Sequence, residues 1–137
     1  MAALTAARNT PQELEPRFRS VPVAASAKPF QGGMVQINAA GYAVAASATA
    51  ANVTIGRAEA TADNSAGANG DIKVKVRRGT FRFNNSSAGD LIARTEIGKT
   101  VYVVDDQTVA KTNNSGARPA AGTCFDVDAQ GVWVEFS

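Results

Sequence analysis

The sequence predicts an all-β protein: a single jelly-roll-like sandwich or barrel over residues 32–137, preceded by an extended N-terminal arm over residues 1–31. Three observations predict it. Apolar residues after Gly32 recur with period two and never with a long 3.6 period. Clusters of Asn, Asp, Ser and Gly separate short apolar runs. Four of the five prolines (Pro11, Pro16, Pro22 and Pro29) crowd into the arm, where they forbid a long helix and cannot donate to an interior sheet ladder.

In the arm, Thr10-Pro11-Gln12-Glu13 has the form of a helix start, with Thr as N-cap, Pro at the first position and an acid in the first turn; Pro16 stops it within a turn. Arg17 to Val23 reads as extended chain. Phe18, Val21, Val23 and Phe30 would be wasted in a solvated tail, so the arm is expected to order on a partner through Arg17, Phe18, Arg19, Val21, Val23 and Phe30.

The body opens with a hairpin, Met34–Ile37 and Tyr42–Ala46, around a turn at Asn38–Gly41. A strand over 53–60 and an Asn/Gly/Ser loop over 62–70 follow. In 71–83, Ile72, Val74 and Val76 point one way and Lys73, Lys75 and Arg77 the other; beyond Arg78-Gly79 the apolar parity switches to Phe81 and Phe83. A β-bulge at Arg78-Gly79 explains the switch and bends the sheet. After a turn at 84–89 and one helical turn at 90–95, Thr100–Val104 is apolar on both faces and reads as a central strand. Asp105-Asp106 turns the chain into a strand over 107–111, 113–116 is a loop, and Thr123–Val127 and Val132–Phe136 make a last hairpin. Eight or nine short strands suit a sandwich or barrel of jelly-roll type.

Composition narrows the function. Much of the 45% hydrophobic content is alanine, and six Phe, two Tyr and one Trp supply a thin core. The whole net charge of +2 sits in the first 31 residues, leaving the body neutral, a poor match to nucleic acid. With no histidine and only Cys124, the chain lacks Ser-His-Asp and Cys-His catalysis, His-ligated zinc and an intrachain disulfide, and suits a reducing cytoplasm. No apolar run reaches membrane-spanning length, and the first residues lack the basic-then-apolar order of a secretory signal.

Few residues carry candidate chemistry. Asp105, Asp106, Asp126 and Asp128 sit at expected turns, where aspartate bonds the backbone. Lys73, Lys75, Arg77, Arg78 and Arg82 form a basic stripe that reads as a solvated face discouraging edge pairing, as a contact face for an acidic protein surface or as a face that touches nucleic-acid phosphates. No aromatic residues interleave it for base stacking. Gly67–Gly70 lacks the following Lys-Ser/Thr and helix of a phosphate loop. Cys124 reads as a small core residue, and Trp133 as either second-layer core or interface anchor. The expectation is a protein that is not an enzyme, with no catalytic, cofactor-binding or metal residues.

The runs Gly56-Arg-Ala-Glu-Ala60, Asp63-Asn-Ser-Ala-Gly67, Gly70-Asp-Ile-Lys-Val-Lys-Val-Arg-Arg-Gly79, Ile97 to Lys111, Arg118-Pro-Ala-Ala-Gly122 and Asp126 to Val134 together resemble the small head-decoration, or cement, proteins of tailed bacteriophages and prophages. The resemblance spans roughly residues 50–137, is most specific in Asp105–Lys111, and leaves out the arm. It implies a non-enzymatic β-rich structural protein of the virion, made in the bacterial host cytoplasm. Such a protein binds the outer surface of the capsid, bridging neighbouring major capsid proteins against the pressure of packaged DNA. The expected partners are the major capsid protein and itself, as a homodimer or trimer, with no nucleic acid, no membrane and no cofactor. The arm residues and the basic stripe become the expected capsid contacts. The competing expectation is a tail or adhesion module that binds a host receptor.

Overall fold

Alternation with period two becomes strand where one face can be buried, and in the computed structural model, which describes residues 2–137, it does so ten times. Strands β1 (Phe18–Pro22), β2 (Met34–Ile37), β3 (Ala43–Ala45), β4 (Val53–Ala58) and β5 (Lys73–Arg77) form one antiparallel sheet in the order β1-β5-β4-β2-β3. Strands β6 (Gly79–Phe83), β7 (Thr100–Val103), β8 (Val109–Ala110), β9 (Ala120–Asp128) and β10 (Gly131–Phe136) form the other, in the order β6-β10-β9-β7-β8.

Those two orders are the same order. Each half of the chain folds its own five strands into one pattern, and the match extends to register. Gly32 and Gly98 both take a left-handed conformation (φ +86° and +87°) in a turn closed by Gly33 N–H on Phe30 O and by Lys99 N–H on Glu96 O, each at 3.0 Å. The ladder between β2 and β4 slips between Val35 and Gln36; that between β7 and β9 slips between Val101 and Tyr102. Val35 faces Gly56 as Val101 faces Gly122. A Cβ on Gly56 would lie 2.4 Å from Arg77 O, and one on Gly122 2.4 Å from Glu135 O, so the neighbouring strand leaves room for glycine alone at both places. In both halves a single parallel bridge (Val23 with Ala43, Asn84 with Thr108) joins the chain just past the first strand to the third strand or the residue before it. One bridge per half does not close a barrel, and none is closed among the described residues.

Each half also has its own core. Val21, Val23, Val35, Ala43, Ala58, Ala62, Val74 and Val76 fill the first. Phe83, Ile92, Val101, Val103, Val109, Cys124, Val132, Val134 and Phe136 dominate the second, which also receives Met34 and Ala46 from the first sheet. Strand β4 lies against β9.

Several expectations change. The single jelly-roll core gives way to two consecutive sheets, because all strands of the first precede all strands of the second, whereas a jelly roll passes its chain back and forth between sheets. The parity switch at Arg78-Gly79 is real, but its cause is a crossing from one sheet to the other and not a bulge within one strand. No helix forms after Thr10: one isolated turn ending at Pro16 has nothing to pack against. The helical turn expected at 90–95 is replaced by two 3-10 turns, Ala88–Asp90 and Arg94–Glu96.

The arm also ends earlier than residue 31. Strand β1 pairs along its length with β5, Val23 N–H bonds Ile72 O at 2.9 Å, and the buried Asn64 donates its amide to Val23, Ala24 and Ala68 carbonyls. Residues 18–31 are thereby built into the body, and the exposed chain without regular structure runs from 2 to 17.

Candidate functional site

The outer face of the first sheet gathers cations around one aromatic ring. Antiparallel register sets Phe18 opposite Arg77, Ser20 opposite Lys75 and Pro22 opposite Lys73, so the outward row of β5 lies beside the outward row of β1. Lys75 Nζ stands 4.5 Å, Arg77 Cζ 5.4 Å and Arg17 Cζ 6.0 Å from the centre of the Phe18 ring. Each such contact stabilises by about 0.5–1 kcal/mol at an exposed site. Next to this row, Arg57 of β4 pairs across the strands with Arg77, like charge against like. The Arg57 guanidinium lies 3.9 Å from the Phe81 ring centre and gives Nη2–H to Glu59 Oε1 at 2.7 Å. The Nε atoms of Arg57 and Arg77 are buried with no hydrogen-bond partner among the described residues. Lys73, Lys75 and Arg77 have no carboxylate within ion-pair distance among the described residues.

The exposed arm joins this face. Arg78 N–H bonds Arg17 O at 2.7 Å and Arg78 Nε–H bonds Pro16 O at 3.1 Å, anchoring the arm's root beside β5. Glu13, Pro16, Phe18, Arg19 and Arg78 line a shallow groove of about 370 Å³ there. Leu4 and Leu14 farther out are largely exposed.

The sequence-derived contact residues therefore divide. Arg17 and Phe18 come together with Lys75 and Arg77, with Lys73 in the same outward row and Arg78 bonded to the chain at Pro16 and Arg17; Arg19, whose register partner is Val76, is exposed on the other face of β1. Val21 and Val23 are buried in the first core, because β1 needs an inward face like any other strand, and they are withdrawn as surface contacts. Phe30 is exposed at a separate place, 5.3 Å from Lys28 Nζ, and lines a depression with Gly33, Asp106 and Gln107. Arg82 belongs to the second sheet, where it bonds Gln130 and stands 5.6 Å from the Trp133 ring. Trp133 is half-buried on the outer face and gives its indole N–H to Asp128 Oδ2 at 2.9 Å.

Asp105 and Asp128 act on turns, whereas Asp126, expected at a turn, lies within β9 and pairs with Trp133 of β10. Asp105 Oδ1 accepts Gln107 N–H, Asp126 Oδ1 accepts Val127 N–H, and Asp128 Oδ1 accepts the N–H groups of Gln130 and Gly131. The Trp133 hydrogen bond, followed by that from Gln130, holds the Asp128 carboxyl below the ordinary carboxylate range. Burial, and then the charge of Asp105, pushes Asp106 above it. No group of three or more His, Cys, Asp or Glu side chains that could hold a metal occurs among the described residues. Cys124 is buried in the second core, and burial raises its thiol pKa, which leaves it poorly suited to nucleophilic work.

Sequence reasoning missed Arg57 and Phe81. Both lie outside the basic stripe's alternation, and only the pairing of β4 with β5 brings Arg57 to it; the Gly56-Arg57 dipeptide at a strand's close approach was the one local signal. Comparison with protein-family models, curated proteins and solved structures returns no match.

Proposed function

We propose that this protein is a non-enzymatic capsid decoration protein that binds the outer surface of a phage head and bridges neighbouring major capsid proteins. The observation that carries the reading is the resemblance of residues 50–137 to head-decoration proteins. The structural features compatible with it are an exposed segment rooted beside a face on which Lys73, Lys75 and Arg77 have no carboxylate partner among the described residues, on a body whose Asp105 and Asp128 hold turns and whose Cys124 lies in the core. A face and an arm that grip two neighbours make the second attachment intramolecular, which multiplies weak contacts over a lattice. Self-association into a homodimer belongs to the same proposal.

The test is the copy number of this chain in purified particles relative to the major capsid protein. A ratio near one, with release before the shell breaks, supports the reading. A few copies per particle moves the protein to the tail, as an adhesion module for a host receptor, and absence from particles overturns both.

A further inference from the structure

We propose that the Arg57–Arg77 pair receives a carboxylate of the partner protein and is the specific anchor of the cationic face. This deepens the reading above and rests on it for the partner's identity.

Four observations converge on the pair. First, two arginines stand opposite each other in the register of adjacent strands, an arrangement that costs stability when nothing neutralises it. Glu59 answers Arg57, and no carboxylate among the described residues answers Arg77. Second, both Nε–H groups are buried without acceptors, and a buried donor left unmade costs about 1–3 kcal/mol. Each guanidinium thus carries a donor that the protein's own side chains leave unmatched among the described residues. Third, the groups are already placed: Phe81 backs Arg57 and Phe18 backs Arg77, which reduces the ordering cost of binding.

The fourth observation comes from the second half of the chain. Thr123 follows Gly122 as Arg57 follows Gly56, and Thr123 pairs with Glu135 as Arg57 pairs with Arg77. The same backbone therefore folds with no cation at either position, so folding does not require the arginines.

A carboxylate suits this site better than a nucleic-acid phosphate. The arginine fork matches a carboxylate and a phosphate equally well, so the surroundings decide between them. A polynucleotide needs a longer basic track and open aromatic faces, whereas the body is neutral overall and cations already crowd the Phe18 ring.

The experiment follows the arginine Nε–Hε resonances of the ¹⁵N-labelled full chain while a hexaglutamate peptide is added. The expected result is saturable movement of the Arg57 and Arg77 signals. The R57T/R77E variant, which installs the residue types of the second half, should keep the fold and bind at least about tenfold more weakly, about 1.4 kcal/mol. If that variant does not fold, R77Q, which retains the Arg57–Glu59 pair, gives the same reading. Unmoved arginine signals, undiminished binding by the variant, or tighter binding of a DNA oligonucleotide of equal charge would each overturn the proposal. Peptide binding needs no particles, so a chain absent from virions that still binds the peptide defeats only the decoration reading. A chain at full occupancy with silent arginines defeats only this one.

Discussion

The two halves of this molecule share a backbone plan and differ in what they show to solvent. Where the first half displays Lys75 and Arg77 on β5 and Arg57 on β4, the second has Trp133 and Glu135 on β10 and Thr123 on β9. The inward positions are apolar in both: Val74 and Val76 are buried as Val132 and Val134 are. What the halves hold in common is thus what folding demands, namely two tight glycines, a slipped ladder and an apolar inner face. What they do not share is free to serve contact.

The most damaging way to probe the common part is through its glycines. Gly56→Ala and Gly122→Ala should each cost about 3 kcal/mol, since both place a Cβ against a neighbouring carbonyl. Denaturant melts of the two variants should fall together; a loss in one half only would mean that the halves are not equivalent.

Next in size is the boundary between arm and body. Val23→Ala should destabilise the fold by about 2 kcal/mol, through two lost methyl groups and the cavity they leave. Removing residues 2–15 should change stability by less than about 0.5 kcal/mol, as these residues bury nothing. Thermal melts of the two proteins check this, and a large loss on truncation would return the arm to the fold.

The smallest effect belongs to the turn of the last hairpin. The carboxyl of Asp128 titrates below its unfolded value in the native state, so its stabilising contribution is present above the ordinary carboxylate range. It is lost as pH falls through the depressed native pKa. The melting temperature should therefore fall between about pH 5 and pH 2, and less steeply in Asp128→Asn. Identical slopes for the two proteins would remove Asp128 from the account.

How much of this was legible in the sequence varies with the range of the interaction. The hairpins were readable because alternation and turn chemistry are local: Met34–Ile37 with Ala43–Ala45, and the hairpin closed by Asp128, stand close to where the pattern puts them. Thr100–Val103 is an interior strand, as its two apolar faces predict. Partner choice was not readable. Nothing in Arg17 to Val23 tells that its edge belongs to β5, more than fifty residues away, so Val21 and Val23 passed for surface residues. The repeated plan was hidden because Phe30–Ala58 and Glu96–Cys124, aligned without a gap, agree only at Gly32/Gly98, Val35/Val101, Ala51/Ala117 and Gly56/Gly122. Those are chiefly positions that backbone geometry dictates, and the rest of each core is filled by different apolar residues. The basic stripe was visible as a run of charge, but its completion by Arg57 depends on a register between strands that no local pattern encodes.

The central claim is that the first half makes the contact and the second half, on the same backbone, does not. Its most direct test is the affinity for purified shells of matched variants, R57T/R77E in the first half and T123A/E135Q in the second. The account predicts a loss of about tenfold or more for the first and wild-type binding for the second. Equal losses in both, or a loss confined to the second half, would contradict it.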